Sequence, residues 1–244
     1  MGLQRDLELA AQVQKGLLPA PDFNYPGWDI CYHYEPAGLV SGDYLDVVDA
    51  GSEGLYFMVG DVSGKGVAAS MLMTHLHAMF RSLLSLKLPL GRMLEHASQV
   101  FAGSTLPNQY ATLVCGRALP DGRVEIANAG HPAPLVLRGA AAITLDVADL
   151  PIGLFARVDF SVSELQFEPG QGLMIYSDGV SEAANAHGYE YGSDRLRELV
   201  GVQQPFNASS LLSACRNDLN LFRKDTPKSD DVTLFVLGRS LQAV

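Results

Sequence analysis

The chain has 244 residues, 48% of them hydrophobic and 18% charged, and its formal net charge is -10 at pH 7. This length and apolar content are enough for one large hydrophobic core or two small ones. The acidic balance and the lack of a lysine or arginine run argue against a nucleic-acid partner, because phosphate backbones are bound through clustered positive charge. No apolar stretch approaches the roughly 20 residues that a membrane-spanning helix needs.

The cysteines and the first residues indicate the cellular compartment. Cys31, Cys115 and Cys215 lie far apart in apolar segments and form no CxxC pair. We interpret them as reduced core residues. The first six residues carry charge and lead into a helical pattern, unlike the apolar core of a secretory signal. We therefore predict a cytoplasmic protein.

The first predicted element is a helix over residues 3–17. Alternating spacings of four and three place one mostly apolar stripe on it, formed by Leu3, Leu7, Ala10, Gln14 and Leu17. It ends at Leu18-Pro19, before a segment that contains proline and glycine. We interpret residues 1–18 as a linker or docking helix that precedes a domain at 19–240. A helix packed on its own domain is the alternative that the pattern leaves open.

The rest of the chain shows short β-rich runs and two groups of helices. Strands are predicted at 29–34, 44–48, 55–62, 111–118, 124–127, 135–137, 160–167, 173–176 and 232–237. Helices are predicted at 67–84, 90–101, 193–200 and 208–222. Pro120-Asp121-Gly122 predicts a hairpin turn. Because the helices and strands are grouped instead of alternating, we predict an α+β fold with antiparallel sheets covered by helices.

Four aspartates stand beside glycine or another aspartate at predicted strand ends. They occur in Ser41-Gly42-Asp43, Gly60-Asp61-Val62, Ser177-Asp178-Gly179 and Asp230-Asp231-Val232. Any one of them alone is typical of a turn or cap residue. Together they suit hard divalent cations, because carboxylate oxygens bind Mg²⁺ or Mn²⁺ and two such ions clamp the oxygens of a phosphoryl transfer. Four like charges brought together also require cations, since they otherwise repel one another.

Seven blocks along the chain carry a resemblance to a known family. They read ELAAQVQKGLLP, VSGDYLD, VGDVSGKGVAASM, NAGHPAPLV, PIGLF, FEPGQGLMIYSDGVSEA and SDDVTLFV. From about residue 7 to residue 237 the chain resembles the SpoIIE-like branch of the metal-dependent type 2C serine/threonine phosphatases. This resemblance implies an αββα sandwich, with two antiparallel sheets between helical layers and a pair of metal ions at one end.

The same resemblance implies a ligand set and a reaction. Asp43 and Asp61 would hold two Mn²⁺ or Mg²⁺ ions, the Val62 carbonyl would add a backbone oxygen, and Asp178 and Asp230 would complete the set. A metal-bridging water would attack phosphorus in line, so that no side-chain nucleophile is needed.

Several residues near these ligands have no such role in our interpretation. Gly42 and Asp231 would lie beside the ligands without binding the metal. Asp231 follows Asp230 directly, so its side chain points to the other side of an extended chain. Lys65 is more typical of a solvent-facing turn than of a phosphate contact, and the glycine spacing around it differs from that of a P-loop. His131 favours a structural hydrogen bond over catalysis. The arginine and the histidine acid of eukaryotic type 2C enzymes have no evident equivalent.

The expected function is hydrolysis of phosphoserine or phosphothreonine in a regulatory protein. Family analogy indicates an anti-anti-sigma type of substrate, and a sensor domain or activator that acts through the N-terminal helix, with a homodimer as one form of the protein. Two other functions stay open. One is a phosphoprotein-binding module without turnover, and the other is a phosphatase of a small phosphorylated metabolite.

Overall fold

The structure, a computed structural model, describes residues 2–20, 23–155, 157–203, 206–224 and 226–241. None of the predicted site residues lies outside these ranges. The strands in this part are β1 (Asn24–Tyr25), β2 (Trp28–Glu35), β3 (Asp43–Asp49), β4 (Leu55–Val62), β5 (Ala111–Ala118), β6 (Arg123–Ala129), β7 (Leu135–Arg138), β8 (Ala141–Thr144), β9 (Ser163–Gln166), β10 (Gly172–Tyr176) and β11 (Val232–Arg239). The α-helices are α1 (Gly2–Lys15), α2 (Gly66–Leu84), α3 (Leu90–Ser104), α4 (Asp178–Ser181), α5 (Ser193–Gly201) and α6 (Ala208–Arg223).

The strands form two sheets that stack face to face. One has six strands in the order β1-β2-β11-β10-β7-β8, and the other has five in the order β3-β4-β5-β6-β9. Neighbouring strands of both sheets pair antiparallel throughout the described chain. The core between the sheets includes Phe57 and Phe235, whose stacked rings have centroids 5.5 Å apart.

Helices cover the outer face of each sheet. An apolar cluster that includes Leu76, Phe80 and Phe101 packs α2 and α3 on the five-stranded sheet. A second cluster, with Leu196 and Leu211, packs α5 and α6 on the six-stranded sheet. The result is a four-layer αββα sandwich, which confirms the predicted fold class. No helix among the described residues is long and apolar enough to cross a membrane.

The predicted strand at 160–167 is too long. The strand covers Ser163–Gln166, while Phe160 is buried in the cluster beneath α2 and α3. Phe160 stands just before residues that alternate between polar and apolar, so the sequence pattern resembles one longer strand. An apolar residue is buried equally well in a strand and in a packed loop, and the pattern does not separate the two. The pattern also missed β8 at Ala141–Thr144, where two alanines with weak β propensity occupy an edge strand.

A buried ion pair fixes α2 on the five-stranded sheet. Asp46 of β3 is fully buried, and its carboxylate accepts hydrogen bonds from Arg81 Nε at 2.7 Å and Nη2 at 2.6 Å. A paired geometry of this kind is needed where a charge is removed from water. The contact ties α2, which begins just after the Gly60-Asp61-Val62 segment, to the strand that begins at Asp43.

Helix α1 lies against this domain through few residues. Of its fourteen residues, all of them described, Gln14 is the buried one. Its apolar side chains include Leu3, 77% exposed, and Val13, 65% exposed. The helix therefore both contacts its own domain and leaves an apolar surface uncovered.

Candidate metal centre

The four aspartates lie where strands of both sheets begin or end. In the five-stranded sheet, Asp43 is the cross-strand neighbour of Asp61. In the six-stranded sheet, β10 ends at Tyr176 two residues before Asp178, and Asp230 stands two residues before β11. Tyr176 pairs with Leu234 of β11, so these two strand ends are adjacent. Antiparallel pairing thus brings residues that are distant in sequence to one end of the sandwich.

Hydrogen bonds tie the two sheets together at this end. The Thr233 hydroxyl of β11 donates to the Asp43 carboxylate of β3, and both residues are buried. The Thr233 backbone N–H donates to Ser177 Oγ at 2.9 Å, and this hydroxyl in turn contacts the Asp231 carbonyl oxygen at 3.3 Å. These bonds hold the start of β3, the end of β10 and the start of β11 in a fixed relation.

Glycines allow two close approaches beside the aspartates. A methyl group on Gly179 would overlap the Asp231 carbonyl oxygen and would lie 3.3 Å from Asp230 Cβ. A methyl group on Gly42 would lie 3.2 Å from Asp61 Oδ1 and 3.2 Å from the Ala69 methyl. Gly179 therefore seats α4 directly on the segment that carries Asp230, and Gly42 seats its loop directly on Asp61.

Burial and mutual repulsion raise the pKa values of Asp43, Asp61 and Asp178. Burial, and then the charges of Asp178 and Asp230, raise the pKa of Asp61 to about 7. Burial and the Asp61 charge raise the pKa of Asp43 well above its usual range, and burial and the Asp230 charge raise that of Asp178. These carboxylates are therefore a mutually destabilising set when no cation is bound.

The residues of this set fit divalent cations of the magnesium type. In the part of the chain that the structure describes, no three or more acidic, histidine or cysteine side chains are grouped so that they could hold one metal ion. Mg²⁺ does not require three protein side chains, because it keeps several waters and binds through one or two carboxylates. The donors are all oxygens, and a bound cation would remove the repulsion that raises the pKa values.

Asp231 and Lys65 make contacts that no local pattern shows. Asp231 Oδ1 accepts the Ala37 N–H at 2.7 Å and Oδ2 accepts the Gly42 N–H at 2.8 Å, so both oxygens hold the loop before β3. Lys65 has a side chain that is 68% exposed, but its Nζ lies 2.6 Å from Asp230 Oδ2. The predicted solvent-facing lysine is thus also an ion-pair partner of a candidate ligand.

His131 is buried behind the centre. Its Nδ1 lies 2.9 Å from the Thr112 hydroxyl, and its backbone is fixed by two hydrogen bonds with the Asn128 side chain. Burial lowers the pKa of His131 to about 3, which keeps the ring neutral. Since Thr112 is the cross-strand neighbour of Asp61, His131 supports the strand that carries this aspartate.

Gln14 is a residue of this region that sequence reasoning did not single out. Its Nε2 donates to the Ser41 carbonyl at 2.7 Å, and its Oε1 accepts the Ser41 N–H at 2.9 Å. The Ser41 hydroxyl then accepts the Asp43 N–H at 3.0 Å. A polar residue within the apolar stripe of the first helix was the available signal.

The fold and this end of the sandwich define a class, the phosphatase domains of type 2C. The chain belongs to the SpoIIE family of these metal-dependent protein phosphatases, because the family model described as Stage II sporulation protein E (SpoIIE) matches residues 51–240. The family predicted from the seven sequence blocks is confirmed.

Similar curated proteins carry phosphatase names, and similar solved structures share the fold. Phosphoserine phosphatase RsbU of Bacillus subtilis is 25% identical over 98% of this chain and 71% of its own length. The SiaA-PP2C domain of Pseudomonas aeruginosa superposes with a TM-score of 0.84 at 19% identity, covering 98% of this chain and 97% of that one. A structure of RsbX in complex with magnesium has a TM-score of 0.66 at 13% identity, covering 89% and 98%. The chain spans 42% and 46% of the length of two other curated relatives that it matches.

Proposed function

We propose that this chain hydrolyses phosphoserine or phosphothreonine in a regulatory protein, with two Mn²⁺ or Mg²⁺ ions held by Asp43, Asp61, Asp178 and Asp230 and by the Val62 carbonyl. The observation that carries the proposal is the set of mutually repelling carboxylates at one end of the sandwich, where burial and like charge raise the pKa values of Asp43, Asp61 and Asp178. The name of the RsbU relative supports phosphoserine as a substrate group.

In this proposal the chain's own residues position the reaction. When bound, the two ions supply charge neutralisation for the transferred phosphoryl group and acidity for a water molecule. Thr233 holds Asp43, and Asp231 holds Gly42 beside Asp61, so that the carboxylates keep their orientation. Water is consumed, the serine or threonine hydroxyl is released, and inorganic phosphate is the second product.

The surface around the centre supports a protein substrate over a small metabolite. Asp230, Leu39 and Val67 are among the residues that line a cavity of about 390 Å³. These apolar side chains are 44% and 49% exposed, and Met71 on the next turn of α2 is 69% exposed. Neighbouring exposed apolar side chains are one mark of a protein contact surface.

The test is hydrolysis with Mn²⁺ or Mg²⁺ against three substrates: a chromogenic phosphate ester, a phosphoserine protein and a panel of free phosphorylated metabolites. We expect metal-dependent turnover that EDTA abolishes, with the highest kcat/KM on the phosphoprotein. Preference for free metabolites would support the metabolite phosphatase instead. Binding of the phosphoprotein without any turnover would support the inactive binding module.

We also propose that a sensor domain, an activator or a second copy of this chain acts through residues 1–18. The supporting contacts run from Gln14 to Ser41 and from Ser41 to Asp43, which links α1 to a candidate ligand. The exposed apolar side chains of α1, Leu3 and Val13, offer a surface for such a partner.

A phosphorylated regulator of the anti-anti-sigma type stays the proposed substrate, by family analogy. The cytoplasm stays the proposed compartment, since all three cysteines are unpaired thiols.

Gln14→Ala provides a test of this link. The change leaves the Ser41 N–H and carbonyl of a buried site without partners, at a cost of about 1–3 kcal/mol. We expect Mn²⁺ affinity to fall by about three- to tenfold and kcat to fall with it, because the loop before Asp43 loses its anchor. Calorimetric Mn²⁺ titration and steady-state kinetics measure both.

Gln12→Ala is the matched control, because Gln12 lies on the exposed side of the same helix. It should leave both quantities unchanged. If Gln14→Ala equals Gln12→Ala in metal affinity and kcat, α1 does not communicate with the metal centre through Ser41.

A further inference from the structure

The loop between β4 and α2 presents one lysine to the metal centre. Lys65 lies between Gly64, with φ +100°, and Gly66, with φ +70°. These left-handed conformations favour glycine, and a methyl group on either residue would meet no heavy atom within 4 Å. The loop is therefore shaped by its glycines and open to solvent, and the Lys65 side chain is 68% exposed.

The Lys65 ammonium group reaches a candidate metal ligand. Its Nζ lies 2.6 Å from Asp230 Oδ2 and donates to the Ser229 carbonyl at 2.9 Å. Lys228 lies two residues before Asp230, but its ammonium group makes other contacts. It donates to Glu35 Oε1 at 2.9 Å and to the Pro36 carbonyl at 2.8 Å. Among the side-chain ion pairs of the described residues, Lys65 is the cation that pairs with one of the four aspartates, Asp230.

We propose that Lys65 binds the phosphate of the substrate and supplies a positive charge beside the candidate ligand Asp230. The proposal rests on the proposed function. In it, the ammonium group leaves Asp230 when a divalent cation takes that carboxylate, and it then donates to a phosphate oxygen at the same place. Lysine is suited to this exchange, because it is a compact charge on a flexible stem and binds phosphate as a point charge.

A structural ion pair and a phosphate ligand predict different measurements. If Lys65 only pairs with Asp230, its removal changes metal affinity and leaves phosphate affinity alone. If Lys65 binds phosphate, its removal weakens the affinity for inorganic phosphate and raises KM. Its removal also lowers kcat, because negative charge grows on the phosphoryl oxygens in the transition state. Phosphate affinity therefore separates the two roles.

The experiment compares Lys65→Met with the wild type and with Lys65→Arg. For each protein, calorimetry gives the Kd of Mn²⁺ alone and the Kd of inorganic phosphate with Mn²⁺ present, and kinetics give kcat and KM on the phosphoprotein. We expect phosphate binding to weaken about tenfold in Lys65→Met, since a charged hydrogen bond is lost. Mn²⁺ affinity should stay the same or tighten up to about fivefold, because a competitor for Asp230 is removed. Lys65→Arg should stay within about threefold of the wild type.

Lys87→Met is the matched control. Lys87 is 64% exposed and pairs with Glu53 at 3.3 Å, but it follows the other end of the 19-residue helix α2, about 28 Å away. Equal phosphate affinity in Lys65→Met and in the wild type would overturn the assignment of Lys65, whatever the rates are. Absence of turnover in the wild type would instead contradict the proposed function, and the two binding constants would still test Lys65.

Discussion

Asp61→Asn should abolish metal-dependent hydrolysis and, at the same time, stabilise the metal-free protein. Asp61 is a proposed metal ligand, so the substitution changes both the charge and the geometry of the centre. We expect kcat/KM to fall by at least about a thousandfold. The gain in stability follows from the pKa of Asp61, which burial and the charges of Asp178 and Asp230 raise to about 7. An ionised carboxylate in that place opposes folding, and a neutral amide of the same shape does not.

The pH dependence of this effect has a definite sign. In the unfolded chain Asp61 ionises near its ordinary pKa of about 4, so between about pH 4 and pH 7 the folded state binds more protons than the unfolded state. The stability of the metal-free wild type therefore falls as the pH rises through this window and is level above it. The full shift corresponds to about 4 kcal/mol, and we expect about 1–3 kcal/mol after relaxation of the site. Asp61→Asn should lack this part of the slope.

Thermal unfolding at pH 5 and pH 7.5, with EDTA and with Mn²⁺, measures these quantities. Mn²⁺ should raise the Tm of the wild type by mass action and should have little effect on Asp61→Asn. Asp49→Asn is the control on the same sheet. Asp49 lies at the far end of β3, is exposed, and accepts the Gly51 N–H at 2.8 Å, a bond that an amide oxygen preserves. A metal-free Asp61→Asn variant that is less stable than the wild type at pH 7.5 would contradict the repulsive character of the set.

The elements that the sequence predicted well have strong local signals. The hairpin of β5 and β6 follows from β-rich runs around Pro120-Asp121-Gly122, and α2 follows from apolar residues at helical spacing. Helix α4 has four residues, too few to show a period, and it was missed for that reason. The aspartates could be selected because each stands at a strand end beside a small or acidic residue.

The contacts between these elements could not be predicted in the same way. Asp231 holds the Ala37 N–H across 194 residues of sequence, and Lys65 donates to the Ser229 carbonyl across 164. Such pairs depend on which strand ends meet, and periodicity carries no information about that. The candidate ligands could thus be selected from the sequence, while the hydrogen bonds and ion pairs around them required the fold.

Gly179→Ala should lower kcat/KM by at least about a hundredfold, although glycine has no side chain to contribute to the centre. The added methyl group would overlap the Asp231 carbonyl oxygen and lie 2.9 Å from the carbonyl carbon. These are backbone atoms, and they cannot move aside as a flexible side chain can. Helix α4 must shift instead, and Asp178, its first residue, shifts with it. A displacement of about 1 Å at a reacting centre lowers the rate by about a hundredfold.

Gly103→Ala is the control for the loss of glycine itself. Gly103 lies in α3, and a methyl group there meets no heavy atom within 4 Å. Alanine is the better helix former by about 0.5–1 kcal/mol, so this variant should be slightly more stable than the wild type and fully active. Gly179→Ala should lose about 1–3 kcal/mol of stability, as expected when an extra methyl group is forced into a packed site.

Calorimetric Mn²⁺ titration separates a general loss of stability from a displaced ligand. At a temperature where Gly179→Ala is fully folded, we expect its Mn²⁺ affinity to be at least about tenfold weaker than that of the wild type, and kcat/KM to be at least about a hundredfold lower. Wild-type Mn²⁺ affinity and turnover in a folded Gly179→Ala variant would mean that the contact between α4 and Asp231 does not set the position of Asp178. The orientation of that carboxylate would then depend on its neighbours in β10 and β11 alone, chiefly on the bonds between Ser177 and Thr233.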